Sequence, residues 1–437
     1  MTKHILIVGG GFTGLTAAYR LSQDKRFSVT LLESSPQLGG LAGGFSLLGT
    51  SLEKTYHHLF LTDTSILDLV KELGLNDKLL WCDSSMGIYR GGRAYPFRSP
   101  KDLLCFSPCS FTGRLRLGLV ALYLKHKKDW QSLVGEKAHD WMTRACGESA
   151  MESVWTPLLK GKFDRYYDTV SMAWLWARIH IRANSRAPRG GGEKLGYFNG
   201  GFNVVVSALE NKLRQQGVTI QTGAVVEKIF DNRCATVNGR EIPFDCCLFT
   251  GPSPAFAKLL PDFASLKEYA QQLRSIEYLG AICLVFVSEQ NLGDFYWVNV
   301  NEPDAPFLVF INHTRLMDKS HYQNKYVYYL GAYKSRDSES FGLSDEALTD
   351  RWWQYLKKMF PEFNPTVVSE HYVFRFNAAQ HIVDTAYEKK MPAHRTPLPG
   401  VFLANYSQIF PEDRGTNFAV REGNKIAEMI QTEAAGF

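Results

Sequence analysis

Ile5-Leu6-Ile7-Val8-Gly9-Gly10-Gly11-Phe12-Thr13-Gly14 is the stretch that decides the fold. Its first four residues form a continuous apolar run, the pattern of a parallel strand buried on both faces. Leu15 to Leu21 follows with alanines and leucines at helical spacing, so the glycines make the turn between a strand and a helix. Val29-Thr30-Leu31-Leu32 reads as a second buried strand and ends at Glu33. Together these form a strand–helix–strand unit of about thirty residues. Gly9 allows the tight turn, Gly11 lets the backbone approach a pyrophosphate, and Gly14 lets helix and strand pack closely. The free N–H groups and partial positive charge of the helix start favour an anion there. Glu33 stands nineteen residues beyond Gly14. A carboxylate there accepts ribose hydroxyls and disfavours a 2′-phosphate.

Working outward, later segments belong with this α/β, Rossmann-like unit. Gly200-Gly201-Phe202 opens a helix to about Leu213, and Val218-Thr219-Ile220 and Ala224-Val225-Val226 read as short strands. Phe244 to Phe249 is another buried strand, ending in Thr250-Gly251-Pro252. Val401 to Ala404 is a strand, and Asn417 to about Ile430 a helix. Roughly 76–195 and 256–395 are rich in Trp, Tyr and Phe. Leu279 to Val287 and Tyr326 to Tyr333 read as antiparallel strands. The expected architecture is α+β overall. A dinucleotide-binding domain (1–75, 196–255 and 396–437) carries a twice-inserted mixed substrate domain (76–195 and 256–395). Ala187 to Glu193, with Pro188 and three glycines, reads as a loop.

Composition narrows the function. The 437 residues exceed one ordinary core. The 45% hydrophobic and 21% charged content is that of a soluble globular chain. The net charge of +5 comes without a block of basic residues, which excludes a nucleic-acid partner and leaves room for an anionic ligand. Eight scattered cysteines without a CxxC pair read as reduced thiols of a cytoplasmic protein. No cleavable leader and no run of about 18 apolar residues is present. Leu115 to Leu124, flanked by Arg114, Arg116, Lys125, Lys127 and Lys128, reads as a basic amphipathic segment. It suits a surface helix, or a peripheral membrane contact through 112–130 at the inner face of a membrane. No metal-ligand spacing, no Ser-His-Asp pattern and no second glycine fingerprint for a nicotinamide appears, so any electron acceptor is external.

After Glu33 comes Ser34-Ser35-Pro36-Gln37-Leu38-Gly39-Gly40-Leu41-Ala42. This Glu-x5-Gly-Gly pattern resembles the flavin-binding fingerprint of the amine oxidase superfamily. That group includes protoporphyrinogen oxidase, phytoene desaturase, UDP-galactopyranose mutase and the Rab-GDI escort proteins. The resemblance implies FAD. It implies that Gly39, Gly40, Leu41 and Ala42 fold over the ribityl and pyrophosphate, and that Val225-Val226 contacts adenine. Thr250 and Gly251 would lie beneath the nucleotide. Asp413-Arg414-Gly415-Thr416-Asn417-Phe418-Ala419 would aim a helix N-terminus at the flavin N1–C2=O edge, which brings Asp413, Thr416, Asn417 and Phe418 into the cofactor site. The chain departs from the family in having Leu41 where many members carry Arg, and Ala404-Asn405 where many carry Gly-Asp.

Lys54-Thr55-Tyr56-His57-His58-Leu59-Phe60 resembles family segments that run past the isoalloxazine. It makes His58 the first candidate near flavin N5 or O4 and His57 the second, since a histidine titrating near neutrality can answer the charge change of a flavin. Arg93, after the turn at Gly91-Gly92, is expected to edge a substrate cleft. Leu158 to Phe163 and Ser171 to Arg182 align in style with the same relatives. Arg178, Arg182 and Arg186 are spaced four apart on one helix face and, with Arg189, suit a diphosphate or a solvated stripe. Three functions are consistent with this. The first is hydride removal from a C–H bond of an apolar or lipid-linked substrate. The second is a sugar-nucleotide mutase using reduced flavin. The third is an escort-type binding protein.

Overall fold

The computed structural model describes residues 2–185, 193–231 and 233–434. The loop expected at Ala187 to Glu193 falls, apart from Glu193, outside the described residues, as do Arg186 and Arg189. Along the chain, β1 (Lys3–Val8), α1 (Phe12–Leu21) and β2 (Phe27–Glu33) come first. They are followed by β3 (Met86–Arg90), β4 (Arg93–Pro96), α2 (Phe111–His126), α3 (Thr156–Phe163) and α4 (Met172–Asn184). Next come β5 (Thr219–Thr222), β6 (Cys246–Phe249), β7 (Tyr278–Ser288), β8 (Trp297–Val300) and β9 (Val309–Asn312). The last are β10 (Tyr326–Lys334), β11 (Val368–His381), β12 (Val401–Leu403) and α5 (Thr416–Glu433).

One sheet is parallel, in the order β12-β6-β1-β2-β5. Ile5, Leu6, Ile7, Leu31 and Leu32 are fully buried in it, and each such side chain contributes about 2 kcal/mol of transfer energy. Burial on both faces is what the unbroken apolar runs encode. The sheet gathers strands from residues 3–33, 219–249 and 401–403, which is the reach expected of the dinucleotide unit. Two expected strands start later than their apolar runs. The N–H groups of Ala224 and Val225 go to Glu33 O (2.9 Å) and Asn238 Oδ1 (3.0 Å), so that strand begins at Val226. Phe244 and Asp245 donate to Arg233 O and His4 O, and regular pairing with β12 begins at Cys247.

The second sheet is mixed, in the order β11-β7-β10-β9-β8-β3-β4. The antiparallel pairing of β7 with β10 matches the sequence reading. β7 is buried from Leu279 onward. Its Cys283, Val285 and Val287 join the core shared with the parallel sheet, and Ile282, Leu284 and Phe286 join a separate core under the helix at 345–359. A third core, around Trp174 and Phe163, is helical and includes α2, α3 and α4. Trp174 is fully buried there, and Trp155 and Trp176 also pack in it.

α5 lies along α1. A Cβ on Gly423 would stand 2.7 Å from Thr13 O, so the two helices touch backbone to backbone at that point. This contact places the start of α5 next to the glycine turn, although just over four hundred residues separate them. All eight cysteines are free thiols. No helix among the described residues is long and apolar enough to cross a membrane.

Candidate active site

Two cavities meet beside the C-terminal ends of the parallel strands. The first, of about 540 Å³, is walled by Gly9, Gly11, Phe12, Thr13, Glu33, Gly39 to Ala42, Val226, Thr250 and Gly251, all expected from the sequence. Gly9 sits at φ +115°, where a side chain is strained, and a Cβ on it would lie 2.3 Å from Thr250 Oγ1. Gly14 is not a wall residue. A Cβ there would stand 1.9 Å from Gly9 O, so this glycine keeps α1 against the turn. Gly11 differs from both, because its Cβ would meet nothing nearer than Gly40 Cα at 3.9 Å and would project into the cavity. α1 and α5 both begin without a capping side chain, with Gly11 and Gly415 at their N-caps. Each start therefore offers free N–H groups to the cavity it lines. Glu33 is oriented by two backbone donors, Gly10 N to Oε2 and Ser35 N to Oε1, both at 2.7 Å.

The residues present thus suit a long, doubly charged dinucleotide. The pyrophosphate has uncapped helix starts, the adenosine end has a fixed carboxylate, and the glycine at the wall keeps space open. Lys54, Ser35, Pro252 and Tyr406 also line this cavity. Ser35, Lys54 and Pro252 lie inside the segments quoted above, whereas Tyr406 comes from the turn after β12.

The second cavity, of about 210 Å³, lies against the first. Leu41, His57, Arg414, Gly415 and Thr416 line both. His58 lines only the second, as do Asp413, Asn417 and Phe418. Asp413 is therefore not in the dinucleotide cavity, and Asn417 uses its Oδ1 to accept from Ile66 N at 3.2 Å. Of the two candidate histidines, His57 stands at the junction of the cavities and His58 deeper in the second. His57 Nδ1 donates to Thr55 O at 2.8 Å, which leaves Nε2 as the acceptor of the neutral ring. Burial lowers its pKa to about 4, aided by Arg414 and opposed by the bond to Thr55. His58 Nδ1 lies 3.1 Å from the Tyr296 hydroxyl. Burial lowers its pKa to about 3, with Arg182, His57 and Arg178 acting in the same sense. Neither histidine titrates near neutrality as expected, because each ring is withdrawn from water beside cations.

Charge is concentrated on one wall. Asp413 Oδ2 accepts from Lys162 Nζ at 2.6 Å and Arg178 Nη1 at 3.1 Å, and its Oδ1 has no partner. Arg414 Nη2 donates to the Tyr333 hydroxyl at 2.9 Å, and Lys162 Nζ lies 5.2 Å from that ring. Burial raises the Tyr333 pKa, but Arg414 and Lys162 outweigh it and the net shift is downward. Burial also raises the pKa of Asp413, yet Lys162, Arg178 and Arg414 hold the carboxyl well below the usual range. Arg182 completes the wall and lies 3.4 Å from Glu193. Arg178 and Arg182 are thus cavity residues rather than a solvated stripe. Arg93 is not. It is exposed at the end of the β3–β4 hairpin, its guanidinium 4.5 Å from the Tyr95 ring centroid, and it lines neither cavity. The hairpin reading was correct, but β4 is the edge strand of the mixed sheet, and its Arg93 end reaches neither cavity. Neither Lys162 nor Tyr333 was singled out from sequence: Lys162 lies in Leu158 to Phe163, quoted only for its likeness to relatives, and Tyr333 in an apolar run that reads as a strand.

Behind the Lys54 to Phe60 segment, Glu53 is buried and accepts from the Tyr197 hydroxyl at 2.7 Å and from Phe202 N. Burial raises its pKa from the usual 4.5 to about 7, against the lowering effect of these bonds. The folded state thus keeps a proton that the unfolded chain releases. The contribution is fully present below about pH 4.5 and is lost as pH rises through about 7, a change of about 3 kcal/mol. Glu53→Gln will flatten the fall of the unfolding midpoint over roughly pH 5 to 8. An unchanged slope in the variant would assign the effect elsewhere.

The pattern of the flavin containing amine oxidoreductases matches residues 12–412. The chain belongs to that family. Its cofactor is accordingly FAD, which agrees with the first cavity. Coproporphyrinogen III oxidase of Bacillus subtilis (strain 168) is 25% identical over 304 residues, which cover 60% of this chain and 63% of that protein. The chain thus spans less than two thirds of the length of this relative. Among solved structures, a protein of Exiguobacterium sp. 255-15 assigned provisionally to the protoporphyrinogen oxidases superposes with a TM-score of 0.78. It is 20% identical, and the match covers 99% of both chains. Reduced UDP-galactopyranose mutase gives a TM-score of 0.76 at 15% identity, covering 99% of this chain and 94% of that one. The two superpositions show a shared fold for the family.

Proposed function

We propose that the chain is an FAD-dependent oxidoreductase that removes a hydride from a C–H bond of a small organic molecule held in the second cavity. The observation that carries this reading is the shared wall of Leu41, His57, Arg414, Gly415 and Thr416. A dinucleotide lying along the first cavity would present its far end there. FAD bound in this way would supply the hydride acceptor, because the flavin itself carries that chemistry. The chain supplies placement. Gly9, Gly11, Phe12, Thr13 and the start of α1 hold the pyrophosphate, with Gly14 setting the turn. Glu33 takes the ribose, Val226 and Gly251 flank the adenosine half, and Gly39 to Ala42 close over the middle. Thr416 and the start of α5 favour negative charge at the ring end. Leu158, Ile181, Leu308 and Trp297 give the second cavity apolar walls that exclude water and fix the substrate bond.

His57 holds a proton on Nδ1 and offers the Nε2 lone pair as a hydrogen-bond acceptor. With a pKa of about 4 it does not keep an extra proton near neutrality. The proton released as the substrate loses hydride therefore goes on to solvent. The electrons leave to an acceptor outside the chain, oxygen or a quinone, and residues 112–130 offer a surface where a membrane-borne acceptor could be met. The same reading divides the chain into the cofactor and substrate domains given above.

The test is anaerobic addition of porphyrinogens, carotenoid hydrocarbons and polyamines to the purified yellow protein. Bleaching of the flavin band by one class without added reductant is the expected result. If every class leaves the band intact, hydride removal is not the reaction. Four cations on the second cavity (Lys162, Arg178, Arg182 and Arg414) favour a sugar-nucleotide mutase as a second reading. Thermal protection of the dithionite-reduced protein by UDP-sugars would select it. A colourless protein would favour the escort reading.

A further inference from the structure

We infer that one face of α2 is a docking surface for an anionic lipid bilayer, on which the protein lies without crossing it. This does not rest on the redox reading. Gly113, Leu117 and Leu124 bury one side of α2 in the helical core. The other side is apolar as well. Phe111, Leu115, Leu119, Leu122 and Tyr123 fall on one stripe at helical spacing and are between 44% and 68% exposed. Leu104, in the helix before it, is 47% exposed. These six are most of the nine large apolar side chains that the described residues leave exposed. A helix that is apolar on both faces and covered on only one is not the pattern of a solvated surface helix.

Charge identifies the occupant. Between Asp102 and Asp129 the chain has no acidic residue and five arginines and lysines, Arg114, Arg116, Lys125, Lys127 and Lys128, with His126 among them. None of the five arginines and lysines forms an ion pair with another of the described residues. Arg114 and Arg116 are turned to backbone carbonyls of Leu104, Arg144 and Ala145. Lys127 lies 5.8 Å from the Tyr123 ring centroid. Trp141 stacks on Tyr123 at 6.3 Å, which adds a second amphipathic ring beside the stripe. Asp102 and Asp129 flank the stripe, and the helices packed against α2 carry Asp140 beside Trp141 and Glu148 beside Ser149, whose Oγ accepts from Ser110 N. A second copy of this face would bring like charges together. Anionic headgroups instead complement the basic residues while the leucines enter the acyl boundary.

The face also has a definite position. α2 packs on α4, and Trp176 Nε1 donates to Lys127 O at 3.0 Å. α4 carries Arg178, Ile181 and Arg182 in the wall of the second cavity. The docking face is thus one helix away from the cavity.

The test is co-sedimentation of the full chain with vesicles of phosphatidylcholine alone and with vesicles containing phosphatidylglycerol. Binding to the anionic vesicles at least tenfold stronger than to the neutral ones, and weakened by salt, is expected. Leu119→Ser with Leu122→Ser will lower that binding at least tenfold while leaving the flavin spectrum and the unfolding midpoint in place. Lys125→Glu with Lys128→Glu will remove most of the preference for anionic vesicles. Absence of binding to either vesicle, or a double-serine variant that binds as the parent does, overturns the inference. So does a dimer in solution that the serine pair dissolves without any vesicle binding.

Discussion

Asp413→Ala will destabilise the folded chain by about 3 kcal/mol, the low end of the range for removing one partner from a buried ion pair. Lys162 and Arg178 then face each other across the wall with no carboxylate, and Arg414 adds to the excess. The low end applies because the Asp413 side chain is 17% exposed to the cavity, so water can enter and screen part of the repulsion. A small anion such as phosphate can replace the lost charge. Added phosphate will therefore raise the unfolding midpoint of the variant more than that of the parent. Asp413→Asn keeps the shape and loses the charge, and its stability should fall nearly as far. Chemical unfolding of the three proteins with and without phosphate checks this. Equal midpoints throughout would mean that the three cations are solvated and that Asp413 is not what holds them together.

The second large effect is a contrast between two glycines of one turn. Gly14→Ala puts a methyl group 1.9 Å from Gly9 O, backbone against side chain, with no soft group able to move. α1 must lift from β1, and the core around Leu15 and Ala18 opens with it. An insoluble or unfolded product is expected, since strain of this kind together with lost packing exceeds about 3 kcal/mol. Gly11→Ala meets nothing closer than 3.9 Å within the protein. It should fold with an unchanged circular dichroism spectrum and yet purify with less flavin, because its methyl group takes cofactor space. FAD content per chain, measured on the soluble fraction, separates the two cases. A flavin-replete Gly11→Ala protein would move the pyrophosphate away from this turn.

Much of this site could be read in the chain itself. A dinucleotide unit depends on local rules, namely buried strand runs, glycines at fixed offsets and an acid at the end of the next strand. Gly9, Gly11, Phe12, Thr13 and Glu33 therefore fell in the first cavity wall as expected. The doublet Gly39-Gly40 did so too, because it lies within a few residues of β2. Other placements were not legible. Where Arg93, His57 and His58 come to lie depends on which sheet edge or cavity a residue reaches, and nothing within a window of ten residues encodes that. The histidines were expected to titrate near neutrality, and only their burial, with Arg414 beside His57 and Arg182 and Arg178 beside His58 acting in the same sense, shows why they do not.

Sequence by itself thus determined the parallel sheet, the glycine turn and the flavin family, since each follows from spacing along one short segment. Tertiary structure alone decided where the cofactor cavity ends and the second one begins. That junction is built from Leu41, His57 and Arg414 to Thr416, three segments brought together by the Gly11–Gly39 bridge, the bond of Thr55 to Leu41 O and the contact of α5 with α1 at Gly423. It also brought Lys162, Arg178 and Asp413 onto one wall. Side chains that come from distant segments meet only through packing, and the charge they share exists only after the chain has folded.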